Sequence, residues 1–297
     1  DALAGIPADV TATFRAAAEK EGNPGYKLTL QAPSYVPTMR FADNRGLRQT
    51  LYTAYVTRAS QIGQSYGHSD YTAGVNENGV YIKQILIMRK KIAGFLGYNT
   101  AAEYTLADRM LDTPQKVIDF LRNLAQKARP YAEKEYAELQ AFAEESLELD
   151  SLEAWDIAYA SEKLCQSRFG FSEQDIRPYF QLEKVLDGLF GLVNTLFNID
   201  VRQEDTPDTV LHPSVRFYRI EENGKLLGKF YLDPYARQYK HGGAWMDDAV
   251  FRRIRTDGSF QYPIAQLVCN FGEPLDDRPT LLTHDEVLTL FHEFGHT

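Results

Sequence analysis

Up to residue 198 the apolar residues recur at three- and four-residue intervals, and beyond Ile199 they begin to alternate. That change of period dictates helices first and short strands afterwards. Residues 80–96 place Val80, Ile85, Met88, Ile92, Phe95 and Leu96 on one helical stripe. A second helix opens at T-P-Q-K, with Thr113 as N-cap and Pro114 at the tolerated first position. Its stripe runs through Val117, Leu121, Leu124 and Ala128, and Pro130 is expected to kink or break it. Both stripes read as core. Residues 151–166 and 182–197 still read as helix, the latter with Val185, Leu189, Phe190, Val193 and Leu196 on one face.

The strand signals follow. V-R-F-Y-R-I, E-E-N-G and K-L-L-G-K-F-Y-L form a hairpin pattern in which Asn223 and Gly224 supply the positive φ angles of the turn. The run I-A-Q-L-V-C-N-F over 264–271 is β-prone and bounded by Pro263 and Gly272. Between them, K-H-G-G-A-W-M-D-D over 240–248 reads as a glycine-rich loop. The expected fold is mainly α with a small antiparallel β-sheet, an α+β chain divided into 1–150 and 151–297 and closing on one more helix.

That last helix is the most informative. T-H-D-E is a capping box with Thr283 as N-cap and Glu286 at the third position. At 100° per residue, Val287, Leu290, Phe291 and Phe294 share a face that must pack on the core. His292 and His296 then point roughly 170° away from it. Side chains four apart on a helix stand about 5–6 Å from one another, so both imidazoles can reach one tetrahedral zinc ion. Glu293, next around the helix, flanks such an ion and can take a proton from an attacking water as general base. His284 lies eight residues before His292, about 12 Å along the axis, too far to share the ion. His241, Asp247, Asp248 and Cys269 have suitable donor chemistry, but spacing alone brings none of them to the pair.

Composition removes other classes. Of 297 residues, 44% are hydrophobic and 25% charged, as in a globular chain with a sizeable core. The 41 acidic and 32 basic residues give a net charge of −9, which argues against nucleic acid as a partner. No apolar run approaches the roughly 18 residues of a membrane span, so a membrane is not an expected partner either. Cys165 and Cys269 lack CxxC spacing and suit a reducing compartment as two buried thiols. The start, D-A-L-A-G-I-P-A-D-V, has neither initiator Met nor signal-peptide pattern, and both ends are expected to be cut.

L-F-H-E-F-G-H preceded by T-H-D-E-V resembles the metal-binding helix of the thimet-oligopeptidase family of zinc metallopeptidases. W-D-I-A-Y at 155–159, R-P-Y-F at 177–180, F-Y-L-D-P-Y-A-R at 230–237, G-G-A-W-M-D-D at 242–248 and L-V-C-N-F at 267–271 resemble further family landmarks in the same order. The resemblance implies a neurolysin-like, two-lobed architecture, incomplete here. Residues 1–150 would line a channel for oligopeptide substrates, and 151–297 would begin a zincin-like catalytic domain. It implies one zinc ion on His292 and His296, with Glu293 as general base. A third ligand, a glutamate on a later helix, is expected beyond Thr297. The missing remainder of the parent chain thus joins oligopeptides among the expected partners, and a cytoplasmic location is expected. By the same resemblance 267–271 would be an edge strand for extended substrate, so Gly242, Gly243, Cys269 and Asn270 are candidate substrate-binding residues.

Overall fold

A computed structural model describes residues 2–63, 77–207, 212–275 and 278–297. The helices are α1 (Ala8–Lys20), α2 (Ala32–Phe41), α3 (Arg45–Val56), α4 (Gly79–Phe95), α5 (Ala101–Leu106), α6 (Pro114–Leu147), α7 (Ile157–Phe169), α8 (Glu173–Ile176), α9 (Leu182–Phe197) and α10 (His284–His296). The strands are β1 (Ile199–Glu204), β2 (Arg216–Glu222), β3 (Lys225–Tyr235), β4 (Trp245–Val250), β5 (Arg253–Ile254), β6 (Phe260–Gln261) and β7 (Ile264–Phe271). The chain is therefore mainly helical with a small sheet. It forms two compact units: Asp1–Asp43 with Cys165–Thr297, and Asn44–Leu164.

The contiguous unit 44–164 is helical. Its firmest feature is ionic: Asp156, wholly buried, accepts from Arg48 at 2.7 Å and from both Nε and Nη2 of Arg45 at 3.0 and 2.7 Å. Burial raises the Asp156 carboxyl, but the two guanidiniums outweigh it and hold the group below the usual carboxylate range. Arg48 also lies over the Tyr159 ring at 4.1 Å. α6 runs unbroken through Pro130, contrary to the expected break. The turns around that proline are exposed, so water can take the carbonyl it frees. The α4 stripe also departs from expectation. Ile85, Met88, Ile92 and Phe95 are exposed, and only Ala93 of this helix is buried.

The other unit is built on a five-stranded sheet in the order β1-β2-β3-β7-β4, beside a separate β5–β6 ribbon. Asn223 and Gly224 take φ of 50° and 75°, turning β2 into β3 as the sequence predicts. The sheet is mixed rather than antiparallel, because β7 runs parallel to β3. A parallel return needs a long connection, and residues 236–263 supply it, carrying β4 on the way. β4 in turn pairs antiparallel with β7, so β7 is flanked on both sides. The edge expected at 267–271 is instead β4, which begins inside the stretch 240–248 read as a loop and runs on to Val250.

One face of this sheet makes the core. Leu182, Val185, Leu186 and Leu189 of α9 meet Tyr218, Phe230, Leu232, Ala265, Leu267, Cys269 and Phe271 from the strands. α10 packs on β7 and β4 over the same face. Among the described residues, no helix is long and apolar enough to cross a membrane.

Candidate metal centre

α10 starts where the capping box puts it. The Thr283 hydroxyl accepts from the Glu286 amide at 3.1 Å, and the Glu286 carboxylate accepts from the Thr283 amide at 2.7 Å. Two main-chain bonds fix the approach: Leu282 N–H to Phe180 O at 2.8 Å, and Leu182 N–H to Thr280 O at 2.9 Å. Burial raises the Glu286 carboxyl above its ordinary range, against the lowering effect of the Thr283 bond.

The predicted core face is the observed one. Leu290 is fully buried, and Val287, Phe291 and Phe294 pack around it. Phe294 is the main anchor, its ring 5.9 Å from Phe190 and 5.7 Å from Phe230. With one side held so, His292 and His296 stand exposed on the other. Their rings are 4.8 Å apart between centroids, and the two Nε2 atoms approach to 3.2 Å. Two nitrogens bound to one tetrahedral zinc at ~2.0–2.1 Å would stand about 3.3–3.4 Å apart. The separation of the pair is thus close to that of two corners of such a shell. Among the described residues, no group of three or more His, Cys, Asp or Glu side chains is gathered to hold a metal. His284 sits at the helix start with its ring 6.2 Å from Phe180, apart from the pair.

Glu293 is half-buried. Burial pushes the Cys269 thiol up to about 12; Lys240 opposes that rise, and the Glu293 charge adds to it.

The four residues expected to meet substrate fall in one neighbourhood with two different exposures. Gly242 and Gly243 are exposed in the loop entering β4, Gly243 at φ 99° where a glycine is required. Cys269 is wholly buried, its side chain in the core. The Asn270 carboxamide donates to His241 O at 2.9 Å and to Gly243 O at 2.6 Å, so it is spent on the loop. What the sequence reading passes over is β4 and Lys240.

The sequence pattern of peptidase family M3 matches residues 38–297. The chain belongs to peptidase family M3. This M3 chain is 46% identical over 295 residues to Oligopeptidase A of Salmonella typhimurium and to Oligopeptidase A of Escherichia coli. It is 40% identical over 309 residues to Probable cytosolic oligopeptidase A of Arabidopsis thaliana. Each comparison takes in 99% of this chain and 42% of the relative, so the chain spans well under half the length of the curated relatives it matches. The thimet-oligopeptidase resemblance holds at the level of the family.

Proposed function

We propose that this M3 chain carries the metal-binding helix and the peptide-docking edge of a zinc metalloendopeptidase of short oligopeptides. The observation that supports this most directly is the 3.2 Å approach of the His292 and His296 Nε2 atoms beside Glu293. Zinc held by these two imidazoles would supply Lewis-acid polarisation of the scissile carbonyl and acidify the attacking water. Glu293 takes the proton from that water and hands it to the departing amine nitrogen. An extended peptide lies along the free side of β4, where among the described residues the main-chain N–H and C=O groups have no strand neighbour. Gly242 and Gly243, just before that edge, let a peptide backbone come close.

Two imidazoles fill two of zinc's four positions, so this reading requires a third protein ligand besides them. By itself the chain is a weak metal or peptide binder that hydrolyses nothing. The remainder of the parent chain is a partner in this reading, and the exposed apolar stripe of α4 supports it, because such a surface wants a cover. A cytoplasmic setting belongs to the same reading.

The test is zinc content after dialysis together with hydrolysis of a quenched fluorescent peptide. Zinc that follows His292 and His296, with no turnover, is the expected result. Zinc content unchanged in the His292→Ala variant would sink the metal assignment. Turnover by the chain alone, abolished by Glu293→Gln, would sink the claim that it is inactive.

A further inference from the structure

Lys240 has an unusual set of partners. Its ammonium, with the side chain only 5% exposed, donates to Cys269 O at 2.6 Å, Tyr235 O at 2.8 Å and Asp233 O at 3.0 Å. The Asp233 carboxylate stands 2.9 Å away. The Lys229 amide donates to Pro263 O at 3.0 Å and the Ala236 amide to Phe271 O at 2.9 Å, so the β3–β7 ladder changes step where its register slips between Asp233 and Tyr235. Lys240 spans that irregularity, drawing together carbonyls of both strands where Cys269 is wholly buried and water has no access.

The same lysine begins the loop that leads into β4. One residue further along β7, Asn270 holds the carbonyls of His241 and Gly243 at 2.9 and 2.6 Å. Both ends of the 240–243 segment are thereby hung on the last residues of β7, the strand on which α10 also packs. We propose that Lys240 and Asn270 are positioning residues: together they clip the entry of β4 to the strand beneath the His292–Glu293–His296 turn and so set where an extended peptide lies relative to it. This rests on the reading of β4 as the docking edge.

Two measurements separate the clip from that reading. In the first, deuterium uptake is followed by peptide. Lys240→Met, and the milder Asn270→Ala, are expected to speed exchange of the β4 amides about tenfold while leaving the β1–β2 pair unchanged. Uptake that is unchanged, or that rises equally across the sheet, overturns the clip. In the second, Trp245, one of two tryptophans, serves as energy donor to a dansylated hexapeptide of alanine and phenylalanine in a Trp155→Phe background. The clip requires about tenfold weaker transfer-detected binding in Asn270→Ala. Equal binding by parent and variant overturns it. No binding by the parent, with the exchange result intact, overturns the docking reading and leaves the clip standing as a device that orders β4.

Discussion

The Nε2 atoms of His292 and His296 stand 3.2 Å apart, close to the spacing that two ligands of one tetrahedral ion would take up. The exposed side of α10 holds this arrangement because the opposite side is anchored through Leu290 and Phe294.

Ligation needs a lone pair on each imidazole, so zinc affinity is expected to fall steeply as the chain is acidified. Titration calorimetry across a pH series should show this. His296→Ala should abolish the binding, while His284→Ala, at the other end of the helix, should leave it unchanged.

The two thiols should differ in reactivity. Cys269 is buried with its thiol pushed up to about 12, whereas Cys165 is half-buried. A disulfide-exchange reagent at pH 8 is expected to titrate one thiol in the folded chain and the second only after denaturation. Two fast thiols in the native state would contradict the packing of α10 over β7.

Asp156→Asn removes the charge that two guanidiniums share in a buried site. Breaking the buried ion pair with Arg48 should cost about 3–5 kcal/mol of the stability of unit 44–164, measurable by urea unfolding. In the parent, the carboxyl is depressed in the folded state, so its contribution is present above the unfolded carboxylate range. It is lost as pH falls below about 4 and through the folded value.

At the start of α10 the sign reverses. Glu286 is raised in the folded state, so its charge weakens the fold as pH climbs through and beyond the ordinary carboxylate range. Glu286→Gln keeps a side chain able to close the capping box and removes the buried charge. Its melting temperature at pH 7 should equal or exceed the parent's, and its pH dependence there should flatten. Thr283→Ala should instead lose about 1 kcal/mol with the cap.

The parts of this fold that local chemistry determines were legible from residues alone. Thr283 and Glu286 mark the start of α10, Asn223-Gly224 marks the hairpin, and the stripe from Val185 to Val193 marks the α9 face. The parts that depend on distant partners were not. Nothing local tells that Leu232 will face Leu267 in a parallel register, since residues 236–263 decide it. β4 was hidden because an edge strand with Asp247 and Asp248 in mid-run looks like loop. Helical periodicity announced α4 but could not say whether its stripe would be covered. At the candidate metal centre, the histidine pair was readable from the four-residue spacing. The burial of Cys269 and the commitment of Asn270 to loop carbonyls needed the sheet.

The discontinuous unit also sets an order of assembly. α2 packs on β7, and the Gln31 carboxamide reaches Arg237 O at 3.0 Å, so partners are separated by some two hundred residues of chain. On a ribosome, residues 44–164 emerge whole and can close their own contacts while α1 and α2 wait without a sheet. The turn bearing His292 and His296 gains its footing on β7 and β4 only once those strands have been made. On the proposed reading, metal capture is thus a late event in the birth of this molecule, and chaperone demand should concentrate on α1 and α2.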